Sequence, residues 1–215
     1  MAITAQREEG LVHVDAAGVD LEGNLIIPRG AKGIVLFAHG SGSSRFSSRN
    51  RYVAEALREG GLGTLLIDLL TRQEEAIDER TAHLRFDIGM LADRLIATSE
   101  WLWKREQLPI GLFGASTGGG AALVAAERAP EHIAAVVSRG GRPDLAGPAL
   151  PHVKAPTLLI VGSYDVPVIA MNREAYDQMK CKRRMEIVPG ASHLFEEPGT
   201  LEIVARLARD WFTEH

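Results

Sequence analysis

Short, almost wholly apolar runs recur along the chain and bound its fold more tightly than any other feature: IVLFA at Ile34 to Ala38, TLLI before Asp68, IGLFGA before Ser116, IAAVVS before Arg139 and TLLIVG from Thr157. A strand that faces water on one side alternates in polarity, whereas these runs do not. They read as strands buried on both faces, as in a parallel sheet covered by helices. A further run, RMEIVPG, alternates more and is expected nearer the sheet edge. Upstream, LVHVD, a turn at Gly18 and GNLIIP read as an antiparallel pair.

Helical periodicity fills the intervals. Tyr52, Val53, Ala56 and Leu57 form one stripe, stopped at Gly60 and Gly61. Ile88, Leu91, Leu95, Ser99 and Leu102 share one face of a second helix, with Trp101 and Trp103 near its end. Ala121 to Ala129, Ile169 to Met179 and Thr200 to Phe212 supply three more. Leu70 to Phe86 is polar, without clear period, and is left unassigned as a segment that could shape a pocket. Strands alternating with helices specify an α/β fold with a mostly parallel central sheet and an N-terminal antiparallel pair. With 215 residues, 46% of them hydrophobic, one domain over residues 1–215 is expected.

The net charge of −4 removes any electrostatic reason to expect nucleic acid or an anionic membrane as partner, and KCKRR at residues 180–184 reads as a solvated turn. The lone Cys181 cannot form an internal disulfide. With no leader-like N-terminal pattern and no apolar run approaching about 18 residues, a cytoplasmic location is expected.

In an open α/β sheet, ligands lie beyond the carboxyl ends of the strands. Chemistry-bearing residues gather there: His39-Gly40-Ser41-Gly42, Ser116 within Gly114-x-Ser116-x-Gly118, Asp165, and His193 in PGASHLF. A serine set between glycines, after an apolar strand and before an alanine-rich helix, has the form of a nucleophile elbow. A hydroxyl attacks poorly until a base takes its proton, and the base needs a carboxylate to orient it. The chain order Ser116, Asp165, His193 supplies nucleophile, orienting acid and base. Asp144, which also follows a strand run, is a second candidate acid.

An oxyanion needs two N–H donors, read as Thr117, at a helix N-terminus, and Ser41, with Gly42 the next candidate. His39 is read as a structural partner of that loop, and Asp68 as capping the turn after its strand. Arg45, Arg139 and Arg142 come from loops expected over the pocket; a guanidinium facing the serine would favour anionic substrates. Salt bridges pinning those loops are the alternative. The remaining histidines lack metal-ligand spacing, so no metal or cofactor is expected. GASTGGG lacks the endings of a P-loop or a dinucleotide fingerprint.

The strings HGSGSSRFSSRNRYVAEAL, GASTGG, VGSYDVPV and PGASHLF, in this order, resemble the α/β-hydrolase superfamily, most of all its small dienelactone-hydrolase-like members. The resemblance covers nearly the whole chain and implies that fold, a cofactor-free serine hydrolase and a small ester or lactone substrate. One departure is plain: dienelactone hydrolases proper carry a cysteine nucleophile, and position 116 is serine. Only about a dozen residues separate the strand ending SRGG from the next, so no large lid is expected and short soluble esters are favoured. A thioesterase or peptidase would use the same triad. A non-catalytic ligand-binding protein on a hydrolase scaffold would not need all three members. A homodimer through Trp101 or Trp211 is compatible with either.

Overall fold

The computed structural model describes residues 6–215; residues 1–5, where the N-terminal stretch read above for a leader begins, lie outside. Among the described residues eight strands form one sheet: β1 (Gln6–Ala16), β2 (Val19–Pro28), β3 (Ile34–Ala38), β4 (Gly63–Ile67), β5 (Ile110–Ala115), β6 (Ile133–Arg139), β7 (Thr157–Gly162) and β8 (Arg183–Val188), in spatial order β1-β2-β4-β3-β5-β6-β7-β8. β1 and β2 are antiparallel, β2 meets β4 antiparallel, and β3 to β8 run parallel. The hairpin closes through Ala17 and Gly18, both at positive φ, the backbone that a two-residue turn requires. β8 lies at the edge, with most of its residues only partly covered.

Helices α1 (Ser48–Glu59) and α6 (Thr200–Glu214) cover one face, and α3 (Ile88–Glu106), α4 (Thr117–Arg128) and α5 (Val166–Gln178) the other. Side-chain alternation divides each central strand between two cores: in β3, Ile34, Leu36 and Ala38 pack with α3 and α4, while Val35 and Phe37 pack with α1 and α6. The order β4-β3-β5 makes the chain reverse direction across the sheet between β3 and β5. Their carboxyl ends therefore open the crevice in which a ligand is expected.

Two helices begin earlier than periodicity suggests. α4 starts at Thr117 rather than Ala121, taking Gly118, Gly119 and Gly120 into its first turns despite glycine's poor helix propensity. Packing overrides propensity there, since a Cβ on Gly118 would lie 2.2 Å from the carbonyl oxygen of Ala38. α5 starts at Val166, with Pro167 in its first turn.

The unassigned segment is ordered. Helix α2 (Arg72–Thr81) is followed by a 3-10 turn at Leu84–Phe86. The helix begins with a capping box, in which Thr71 accepts from the Glu74 N–H and the Glu74 carboxylate accepts from the Thr71 N–H. Asp78, 2% exposed, accepts from the N–H groups of Leu84 and Arg85 and from Arg85 Nε.

Candidate active site

β5 delivers Ser116 into an abrupt turn at φ 50°, ψ −122°, a conformation rare for a residue with a side chain. The turn fits because its neighbours lack side chains. A Cβ on Gly40 would meet the Ser116 Cβ at 2.9 Å, and Gly118 backs onto Ala38 as described. The flanking strand holds the turn in place: the Ser116 N–H donates to the Arg139 carbonyl at 3.4 Å, and its carbonyl accepts from Arg142 N–H and Gly119 N–H, each at 3.0 Å.

The two residues read from the sequence as acid and base come from the far side of the sheet. Asp165 stands at the N-terminal boundary of α5 after β7, its side chain making no capping hydrogen bond, and its Oδ2 lies 2.6 Å from His193 Nδ1. His193 sits in the connection between β8 and α6, where Glu197 accepts from Ser192 N–H at 3.0 Å and Phe195 N–H donates back to the Ser192 carbonyl at 3.3 Å. The imidazole packs on Gly140, where an added Cβ would lie 3.6 Å from both Cε1 and Nδ1 of His193. Gly140 directly follows the residue whose carbonyl holds Ser116. The rival acid, Asp144, is engaged elsewhere, gripping Arg142 through two hydrogen bonds of 2.8 and 2.7 Å.

Ser41, Gly42 and Thr117 line one cleft of about 110 Å³ together with Leu70, Leu91 and Arg85. Gly42 stands at φ +67° in the turn closed by the Ser43 N–H on the Gly40 carbonyl. His39 braces this loop: Leu69 N–H donates to Nε2 at 3.0 Å, which leaves the Nδ1 proton for the Gly40 carbonyl, also at 3.0 Å. Burial holds this imidazole below its ordinary pKa, against the opposing pull of the Gly40 carbonyl and the Asp68 and Glu75 carboxylates.

The three arginines expected over the pocket are found in other company. Arg45 is buried, paired with Asp68 and, at 2.6 Å, with Glu22, and its own N–H also donates to Asp68. Arg142 is held by Asp144, which raises its pKa. Arg139 is buried against Asn50 and Phe195. Asp68 therefore holds Arg45 rather than capping a turn. Trp211, expected on a helix face open to a second copy, is buried, with its indole N–H 3.4 Å from the Pro156 carbonyl. Trp101 packs partly against the core beneath Arg105. Burial, foremost among its surroundings, pushes the Cys181 thiol up. Among the described residues no three or more His, Cys, Asp or Glu side chains gather as a metal site, and no helix is long and apolar enough to cross a membrane.

The segment from Leu70 to Phe86, expected as one that could shape a pocket, lines the cleft beside Ser41 and Thr117, whereas its secondary structure as α2 and a following turn went unread although Thr71-x-x-Glu74 is a readable capping signal. Sequence reasoning missed Asn50, Phe195 and Asn172. The last of these donates to the Gly141 carbonyl at 3.0 Å and so steadies the loop after β6. No local pattern marks these three residues.

Residues 21–211 match the Dienelactone hydrolase family. A dienelactone hydrolase from Anabaena variabilis is 65% identical, with a TM-score of 0.94 over 97% of this chain and 98% of that one. Est1E from Butyrivibrio proteoclasticus shares the fold at 17% identity, with a TM-score of 0.80 over 95% of this chain and 98% of its own. Proteins from Mycobacterium tuberculosis named putative phosphoribosyl transferase are 56% identical over 207 residues, which cover 95% of this chain and 46% of theirs. The chain thus spans about half the length of these curated relatives. With this match over most of its length, the chain belongs to the dienelactone hydrolase family.

Proposed function

We propose that this protein hydrolyses small carboxylic esters or lactones through an acyl-enzyme on Ser116. The observation that carries this reading is the strained Ser116 turn on the same sheet edge as a His193–Asp165 pair at 2.6 Å. In the first half-reaction His193 Nε2 takes the Ser116 hydroxyl proton as Oγ attacks the substrate carbonyl. The negative charge on the former carbonyl oxygen is met by the N–H groups of Thr117 and Ser41. Collapse breaks the bond to the leaving alkoxide, which receives the proton from His193. Water then gives a proton to His193 and its hydroxide equivalent attacks the acyl carbon, after which Ser116 recovers the proton and the acid departs. Asp165 accepts from His193 Nδ1–H and so holds the tautomer with Nδ1 protonated. The serine at position 116 makes that base indispensable, because a hydroxyl is almost never ionised near neutral pH, unlike a thiol.

The name of the mycobacterial relatives describes proteins about twice this length, and the segment shared with this chain covers 46% of theirs. We therefore assign no phosphoribosyl transfer to it.

The test is intact mass after treatment with a fluorophosphonate, which captures activated serines whatever the substrate. One adduct on the wild type and none on Ser116→Ala is expected; no adduct on folded wild type would favour a ligand-binding protein instead. The cleft of about 110 Å³ beside Ser41 and Thr117 supports a short acyl group. Acetate esters are expected to turn over at least about tenfold faster than palmitate esters, a difference of about 1.4 kcal/mol in barrier; equal rates would count against a short-acyl pocket.

A further inference from the structure

We infer that Arg139 is a positioning residue of this site: it holds the turn carrying His193 against the nucleophile elbow, and does not bind substrate. The inference rests on the reading of Ser116 as nucleophile and His193 as base.

Arg139 is the last residue of β6, paired in the sheet with Ala115, and its carbonyl accepts the Ser116 N–H. The next residue, Gly140, is the surface on which the His193 imidazole rests. Strand alternation sends the Arg139 side chain to the face shared by Ala135 and Val137, between α1 and the connection after β8. There it is only 6% exposed. Nη2 donates at 3.1 Å to Oδ1 of Asn50, itself buried in the first turn of α1, the helix that follows the oxyanion loop. The guanidinium carbon lies 5.8 Å from the centre of the Phe195 ring. Phe195 is 1% exposed and stands at φ +56°, an unfavourable conformation for a bulky residue, so its surroundings must hold it there. It is two residues from His193 and closes that turn on Ser192. One residue thus touches the nucleophile through its backbone, and the oxyanion-side helix and the base-carrying turn through its side chain.

The electrostatics sharpen the point. Among the described residues Arg139 has no carboxylate partner, and Nε has no hydrogen-bond partner. Burial, and after it the Arg49 charge, push its pKa down to about 10, so it remains a cation near neutral pH. The neighbouring Arg49 is bound to Glu196 at 3.0 Å. A buried cation without a counter-ion is costly, and an apolar side chain would fill the space without that cost. What the guanidinium adds is a planar group with a donor edge for Asn50 and a cationic face toward Phe195.

The experiment measures fluorophosphonate labelling of the whole chain for wild type, Arg139→Met, Phe195→Leu and the double variant, with thermal melts to establish that each is folded. Displacing the base should slow the maximal labelling rate of Arg139→Met on the order of 10- to 100-fold and leave the half-saturating reagent concentration unchanged. Phe195→Leu should lose a similar factor. The double variant should lose no more than the worse single, because both substitutions break one linkage. With esters, kcat should fall while KM stays the same for neutral and carboxylate-bearing substrates alike. Labelling of Arg139→Met at the wild-type rate would overturn the proposal, as would multiplying losses in the double variant. A KM increase confined to carboxylate-bearing esters would also overturn it, making Arg139 an anion site. If Arg139→Met does not fold, Asn50→Leu replaces it with the same expected losses and the same overturning results. A wild type that takes no label sinks the parent reading and this one together, whereas an unchanged Arg139→Met beside a labelled wild type sinks this one alone.

Discussion

At the scale of single residues, the site depends on side chains whose hydrogen bonds leave them little freedom. His39 illustrates this most simply: its neutral form uses both ring nitrogens, one accepting from Leu69 and one donating to Gly40. Protonation would remove the acceptor and place a charge in a buried site. Because the folded-state pKa is depressed, the unfolded chain takes up the proton first as pH falls. The contribution of His39 to stability is thus complete above the unfolded value of about 6.5 and declines as pH falls below it, by up to about 1.4 kcal/mol per pH unit. Urea unfolding of wild type and His39→Asn from pH 8 to pH 5 checks this. The wild type should lose more stability than the variant between about pH 6.5 and pH 5, and parallel profiles would show that His39 does not titrate in this way. The roles read for Ser116, Asp165 and His193 depended on strand-end position and chain order. The surroundings of the arginines could not be read in that way, because the partners of Arg45 lie 23 residues away on either side.

At the scale of elements, the wall opposite Thr117 is α2 and the 3-10 turn that follows, and both depend on Asp78. This carboxylate accepts two backbone N–H groups and Arg85 Nε from a position almost out of water. Asp78→Ala would leave those donors without their acceptor and is expected to lower stability by about 2–4 kcal/mol in urea unfolding. It should also raise KM for short esters, since Arg85 lines the cleft beside Ser41 and Gly42. A stable variant with unchanged KM would mean that the wall stands without it. The segment escaped periodicity because α2 buries only Asp78, so no apolar stripe marks it, although its cap is written in Thr71 and Glu74. α3, with Leu91, Leu95 and Leu102 on its buried face, was legible for the opposite reason.

At the scale of the molecule, Arg45 joins the antiparallel and parallel parts of the sheet: Glu22 belongs to β2, Asp68 follows β4, and Arg45 itself follows β3. Arg45→Met is expected to lower the melting temperature while leaving KM for carboxylate-bearing esters at the wild-type value. An elevated KM for those esters alone would return Arg45 to substrate binding. Strand and helix alternation, the doubly buried parallel core and the gathering of Ser116, Asp165 and His193 at the carboxyl ends of the strands are legible in the order of residues along the chain. These follow from side-chain periodicity and from the rule that parallel strands present their carboxyl ends together. Packing between distant segments makes α4 begin through three glycines, turns Asp144 to Arg142, sets Arg45 across the sheet and lays Arg139 between Asn50 and Phe195. Each of these depends on which distant backbone or charge lies within a few ångströms, a distance that local pattern along the chain does not encode.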